Sequence, residues 1–347
     1  MTFIVGPLRP QEVPALCELF QRVFGSPLPL QVQRWKYDLG PRLASHSIVA
    51  RDPSGALLGH AGALVFPGSQ AGRPLPMAQV CDVMVDSTAR GGLELQGVYG
   101  RLMAALQTDL ASTHPGVLAY GFAGVRPYKL GARMGLYRAV QPCRMGRVAD
   151  LPKPQGAGGS PPGGQGDVPT PLPWWRRPSS GRWPTGSVMA QAVGWEHPDL
   201  ARLWAHLAPT LRHPLVQRTP AYLGWRYAGH PVWRYQLWML RRAWSRPLGW
   251  VVTREMPDSS LCIVDALLPP EVDDLTAARS LADAMMAAQG SKASQASQGT
   301  PPDLCGWWVQ TEAAARLEPI MGCEVWVDRW HSDHLPLRFQ PGDTDVF

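Results

Sequence analysis

Val80-Cys81-Asp82-Val83-Met84-Val85-Asp86-Ser87-Thr88-Ala89-Arg90-Gly91-Gly92-Leu93-Glu94-Leu95-Gln96-Gly97-Val98-Tyr99 changes character twice along its length. It begins as a strand, with Val80, Val83 and Val85 supplying β-branched side chains. A turn follows through Arg90, Gly91 and Gly92. From about Gly97 a helical pattern takes over, with Val98, Leu102, Leu106 and Leu110 at i, i+4 spacing. A strand, a glycine turn and a helix N-terminus together form an anion cradle. The first-turn N–H groups have no partner within the helix, and the helix dipole favours negative charge there. Glycine lets the backbone approach an anion closely.

On the N-terminal side, Phe3 to Leu8 reads as a strand and Pro10 to about Phe24 as a helix with an apolar face. Pro27 and Pro29 break it, and a second helix spans about Leu30 to Leu39. Ser47 to Arg51 and Ala56 to Phe66 read as a hairpin about the turn residues Asp52 to Gly55. A Gly/Pro-rich loop is expected from Pro67 to Pro76. Beyond the central helix come a strand at Val117 to Phe122 and a short helix from Pro127 to Met134. Two closing strands are expected at Leu136 to Val140 and Met145 to Val148.

This β-α-α-β-β-β-α-β-α-β-β order, with the cradle after the fourth strand, resembles the GNAT acyltransferase superfamily over about Thr2 to Asp150. The resemblance implies a mixed α/β fold whose fourth and fifth strands splay apart to admit the pantetheine arm of coenzyme A. The family's phosphate motif, Arg/Gln-x-x-Gly-x-Gly/Ala, begins here as Arg90-Gly91-Gly92. Leu93 and Leu95 stand where glycine is expected, and Gly97-Val98-Tyr99-Gly100-Arg101-Leu102 looks like the usual helix entry displaced by a few residues. Gly131-Ala132-Arg133-Met134-Gly135-Leu136 occupies the place of the family's Tyr-x-Lys-x-Gly-Phe, with Gly131 replacing the tyrosine. The resemblance further implies acetyl-CoA, or another acyl-CoA, as co-substrate and no metal. Arg90, Gly91, Gly92, Gln96, Gly97, Val98 and Tyr99 are its expected binding residues, with a strand bulge at about Met84 and Val85.

Residues 151–186 are dense in proline and glycine and read as a linker between residues 1–150 and a second domain, 187–330, with a tail at 331–347. Beyond the linker the pattern restarts. Trp225-Arg226-Tyr227 echoes Trp35-Lys36-Tyr37. Trp225 precedes Leu248-Gly249 by the same separation as Trp35 precedes Leu58-Gly59, and Val264-Asp265-Ala266-Leu267 echoes Cys81-Asp82-Val83-Met84. The spacing indicates an internal duplication with a period of roughly 190 residues, hence tandem GNAT-like domains, each expected to be a mixed twisted sheet flanked by helices. The second copy reads Pro269-Pro270-Glu271-Val272-Asp273-Asp274 after its strand. Its acids repel a pyrophosphate and its prolines donate no N–H, so it is expected to be degenerate.

Acyl transfer to an amine needs oxyanion donors, a base for the ammonium and an acid for the departing thiolate. Asp82, an acid inside an apolar strand, is the candidate base; the alternative is a solvent-facing or loop-capping acid. Tyr99 and Tyr128 are the candidate acids, against a packing role. Gly92-x-x-x-x-Gly97 has P-loop spacing, but Val98 and Tyr99 replace the Lys and Ser/Thr, which excludes a nucleoside triphosphatase. The six scattered cysteines contain no Cys-x-x-Cys pair and fit reduced thiols of a cytoplasmic protein. No apolar run is long enough to span a bilayer, so no membrane partner is expected. A net charge of +6 admits an anionic ligand without specifying one. Trp174-Trp175-Arg176-Arg177, beside the proline linker, reads as a docking segment, and nucleic acid is not an expected partner. A small-molecule or sugar amine is the expected acceptor.

Overall fold

The computed structural model describes residues 2–90, 96–123, 125–136, 138–147, 188–242, 246–256, 261–269, 304–309 and 325–329. The N-terminal half contains β1 (Ile4–Pro7), α1 (Val13–Phe24), α2 (Leu30–Tyr37), β2 (Ala44–Arg51), β3 (Leu57–Gln70) and β4 (Arg73–Val85). It continues with α3 (Val98–Thr113), β5 (Leu118–Ala123), α4 (Val125–Arg133) and β6 (Arg138–Arg147). The C-terminal half contains β7 (Val188–Val193), α5 (Asp199–Leu207), β8 (Leu215–Val216), α6 (Pro220–Leu223), β9 (Tyr235–Arg242), β10 (Pro247–Glu255) and β11 (Leu261–Leu267). β12 (Leu304–Val309) and β13 (Val325–Arg329) complete it. α6 runs on into a π turn at Gly224–Ala228. The expected linker at 151–186 and the tail at 331–347 lie outside the described residues.

Both faces of the N-terminal sheet are covered, so β3 is buried along nearly its whole length. Its side chains alternate between two cores, as the strand period requires. Ala61, Ala63 and Val65 join the α3 stripe of Val98, Leu102, Leu106 and Leu110. Leu64 and Phe66 face the other way, with Tyr37, Met77, Cys81, Leu118 and Tyr120. That second core also contains Leu200, Leu203, Leu223, Tyr227, Leu237 and Trp250 from the C-terminal half. The two halves therefore share one apolar interior.

Three expectations are corrected. The segment 67–76 is not a loop: β3 and β4 continue through it as one hairpin, turning at Ala71 (φ 49°) and Gly72 (φ 77°). Two consecutive positive φ values give the turn the twist that hairpin strands need. Its prolines occupy one class of ladder pair only (Pro67 opposite Pro76, Pro74 opposite Ser69), which spares the intervening pairs. β8 lies along this extension, with Val216 opposite Gly68 and Leu215 opposite Ser69.

Second, the two closing strands are a single strand, β6. Third, the two halves do not form separate sheets. The path is β1-β2-β3-β4-β5-β13-β6-β12-β11-β10-β9-β7. β13, from the C-terminal half, sits between β5 and β6; β6, from the N-terminal half, sits between β13 and β12. The sheet is mixed, with β4–β5 and β11–β12 parallel.

Candidate active site

β4 and β5 pair in parallel register from Met77–Leu118 to Val80–Gly121. Beyond that point the β4–β5 pairing stops: β5 stays paired through its other edge, Tyr120 to Ala123, with β13, while β4 runs on from Cys81 to Val85 beside β3. The splay between the fourth and fifth strands thus opens after Val80.

A bulge lies at the mouth of this opening. His60 faces Met84 and Gly62 faces Cys81, so the single residue Ala61 opposes both Asp82 and Val83. The bulge was expected at Met84 and Val85; those two residues instead resume regular pairing with His60 and Gly59. Asp82 takes a left-handed backbone conformation, φ 50°, which Asp tolerates better than most residues.

The Asp82 side chain is neither solvent-facing nor a loop cap. It accepts from Lys36 Nζ at 2.7 Å and from the Tyr37 hydroxyl at 2.7 Å. The Lys36 and Asp82 side chains are only 8% and 7% exposed, so their charges meet in a low-dielectric setting where each needs the other. Burial, and then the neighbouring Asp82 charge, push the Tyr37 pKa well up, so the phenol stays protonated and donates. Both donors sit at the end of α2. Gly62 makes the room: a Cβ there would strike the Tyr37 hydroxyl and come within 2.9 Å of His60 Cε1.

His60 is buried completely and was not singled out from the sequence. Its Nδ1 lies 2.8 Å from the Asp82 carbonyl oxygen and its Nε2 3.2 Å from Ser47 Oγ. Burial lowers its pKa, against the opposing pull of Asp82. The signal for the network was present in two separate echoes, Trp-Lys-Tyr with Trp-Arg-Tyr and Asp82 with Asp265. What was missing was that tyrosine and aspartate meet.

Past β4, Asp86 accepts from the Thr88 backbone N–H and from Arg22 Nε at 3.1 Å. Arg90 is exposed, and its Nε donates to the Val85 carbonyl at 2.9 Å, which folds it over the end of β4. Gly91 and Gly92 lie outside the described residues. Gln96 is exposed and Gly97 caps α3. The helical ladder begins with Arg101 N–H to the Gly97 carbonyl, so Val98, Tyr99 and Gly100 form the first turn ahead of it. Val98 is buried against the sheet and Tyr99 is half-buried. Gly59 allows this docking: a Cβ there would come within 2.9 Å of Leu102 Cδ1 and of the Met84 carbonyl. Tyr128 belongs to α4, but its side chain lies outside the described residues. α4 ends in a Schellman turn, with Leu136 N–H to Gly131 O, Gly135 N–H to Ala132 O, and Gly135 at φ 68°.

A bulged fourth strand, a fifth strand that leaves it, and a glycine-capped helix beyond are therefore assembled at one place. Residues 5–138 match the acetyltransferase (GNAT) domain family. No curated protein matches the chain. Among solved structures, a probable N-acyltransferase from Enterococcus faecalis V583 superposes with a TM-score of 0.57 at 14% identity, over 95% of this chain and 72% of that one. A GCN5-related N-acetyltransferase from Anabaena variabilis ATCC 29413 gives 0.56 at 14% identity, over 94% and 72%. A tandem GNAT protein from the clavulanic acid biosynthesis pathway gives 0.53 at 15% identity, over 94% and 98%. These identities establish a shared fold. Residues 5–138 therefore have a mixed α/β, GNAT-like fold, and the GNAT family generally uses acyl-CoA. Among the described residues, no cluster of His, Cys, Asp or Glu is arranged to hold a metal, and no helix is long and apolar enough to cross a membrane.

Proposed function

We propose that the protein is an acyl-CoA-dependent N-acyltransferase that moves an acetyl group to a primary amine of a small molecule or sugar, in the cytoplasm. One observation carries this reading: the GNAT domain keeps its β4–β5 opening directly beside a bulge and the α3 N-terminus. Arg90, Gly91, Gly92, Gln96, Gly97, Val98 and Tyr99 are the proposed pyrophosphate cradle, and Met84 and Val85 flank the pantetheine arm. Tyr128 is the proposed acid for the departing thiolate. Asp82, with a lysine and a phenol on its oxygens, is proposed to hold the bulge rather than to serve as the base. Cys17, Cys81 and Cys262, part-buried or buried thiols, fit the cytoplasmic assignment.

The C-terminal half is proposed to be a degenerate GNAT-like copy that helps line the acceptor cleft. Support comes from its repeated details. Tyr227 donates to Asp265 at 2.7 Å, as Tyr37 does to Asp82, and Arg218 supplies the cation at 2.9 Å. A register shift marks β11 beside Asp265, where β4 has its bulge. Gly249, like Gly59, has no room for a Cβ against the fourth-strand carbonyl, here that of Leu267.

Thermal-shift titration with acetyl-CoA tests the function. A ligand at a hundred times its Kd adds about 2.7 kcal/mol to stability, a readily measured rise in Tm. Absence of any shift at millimolar ligand would overturn the reading. Gly97→Phe should abolish the shift, whereas Pro270→Phe should leave it intact. The engaged state of Asp82 favours a second reading, an acyl-CoA-binding protein without transferase activity. Acetyl-CoA turnover against a panel of primary amines separates the two.

A further inference from the structure

Arg42 follows α2 and is half-buried. Its Nη2 donates to the Trp35 carbonyl at 3.2 Å, and its guanidinium carbon lies 5.5 Å from the centre of the Trp225 ring. Its Nε and Nη1 are buried and have no hydrogen-bond partner. No described carboxylate forms an ion pair with it. Burial lowers its pKa, while Asp38, Cys81 and Tyr37 pull the other way. A buried donor without an acceptor is rare and costly, and more so on a charged group. Cover for Trp225 does not explain it, because a hydrocarbon side chain covers a ring without desolvating a charge. Nor does the duplication: the spacing that carries Trp35 to Trp225 carries Arg42 to Val232.

The surroundings say which ligand suits these donors. Tyr37 and Trp225 belong to the core on one face of the sheet, and α3 covers the other. Tyr37, whose hydroxyl donates to Asp82 at 2.7 Å, also lies 3.5 Å from Cys81 Sγ. Cys81 is the first β4 residue past the last β4–β5 pair, Val80–Gly121. Arg42 therefore acts on the start of the opening from the face opposite α3. A donor held at the α3 N-terminus leaves that face to the acceptor. Of the two cations here, Lys36 is paired with Asp82, which leaves the single charge of Arg42. One guanidinium matches one carboxylate and falls short of a phosphate dianion.

We propose that Arg42 is a specificity-determining residue that holds a carboxylate of the acceptor, so that the acceptor is an amino acid or another primary amine bearing a carboxylate. This names the substrate class for the acyl-CoA reading above and rests on it. Nε and Nη1 are the donors offered to the carboxylate, and the Trp35 carbonyl and the Trp225 ring hold the guanidinium in place.

The test is calorimetric titration of the full chain, saturated with CoA so that no transfer occurs, with amino acids from glycine to 6-aminohexanoate, each against its amide. At least one acid should bind about ten- to a hundredfold more tightly than its amide, the value of a hydrogen bond to a charged group. Arg42→Leu should abolish that preference while CoA affinity and amide affinity stay within about twofold. Arg42→Lys, which keeps the charge, should retain part of it. Retained CoA binding shows that a variant is folded; should Arg42→Leu not fold, Arg42→Gln should show the same selective loss. Equal binding of acids and amides, binding of no acid, or an unchanged preference in the variants overturns the inference. So does a loss in Arg42→Leu confined to succinyl-CoA, which would place the carboxylate on the acyl donor. Failure of the wild-type protein to bind CoA or acetyl-CoA overturns the acyl-CoA reading itself.

Discussion

Trp35 and Trp225 bond to each other twice: the indole N–H of each donates to the backbone carbonyl of the other, both at 3.0 Å. Their rings stack with centroids 5.0 Å apart and planes 18° from parallel. A contact that reads the same from either side is the signature of a local two-fold relation. Each indole also lies under a guanidinium, Arg226 over Trp35 at 5.4 Å and Arg42 over Trp225 at 5.5 Å. A Cβ on Gly40 would lie 2.5 Å from the Trp225 ring, so the loop after α2 needs glycine to close over it. The halves are joined through this pair and the exchanged strands, not merely tethered by the residues between them.

Trp35→Ala removes one ring and orphans the Trp225 carbonyl, while the backbone carbonyl of residue 35 can still accept from the Trp225 indole. The expected cost is about 3–5 kcal/mol. Trp35→Ala with Trp225→Ala should cost less than the sum of the two single changes, because both delete one shared contact. Urea unfolding of the four proteins checks this, and wild type should unfold both halves in one transition.

Lys36→Met leaves the buried Asp82 carboxylate without its cation. The expected loss is about 3–5 kcal/mol. Adding Asp82→Asn removes the stranded charge and should recover part of the loss. Additive losses in chemical denaturation would show the pair to be uncoupled.

Gly59→Ala places a methyl group 2.9 Å from the Met84 carbonyl, a backbone atom fixed by the sheet. Overpacking of this kind costs about 1–3 kcal/mol. The displaced side chains are those of Leu102 and Val98, so α3 should shift at its N-terminus. A lowered Tm together with weaker acetyl-CoA binding is the expected result.

His230 accepts the backbone N–H groups of Val232 and Trp233 at its Nδ1. Burial, reinforced by Arg226 and Arg254, lowers its pKa from 6.5 to about 3. The unfolded state therefore binds the extra proton first, and stability contributed by neutral His230 is lost as pH falls from about 6.5 toward 3. Tm should drop between pH 7.5 and 5, and His230→Asn should make the drop shallower.

The sequence by itself specified most elements, because periodicity and turn residues act locally. Val98, Leu102, Leu106 and Leu110 line one side of α3 as their spacing demands, and Gly25 and Gly135 end their helices in the left-handed conformation only glycine adopts freely. The echoes of Trp35 by Trp225 and of Asp82 by Asp265 were also legible. Local pattern misled at Pro67 to Pro76, where proline spacing looked like a loop, because β8 from far along the chain covers that hairpin.

Tertiary structure alone decided the rest. Which strand lies beside which is set by long-range pairing, and no local pattern specifies that β13 enters between β5 and β6. Asp82 was a candidate base because it is an acid inside an apolar strand, and a strand's alternation does not say which face is inside. Only when α2 docks do Lys36 and Tyr37 reach it, and only when β3 pairs with β4 does His60 reach its carbonyl. A residue's type is written in the chain, but its charge state, hydrogen-bond partners and chemical role are fixed by what folding places within about 3 Å of it.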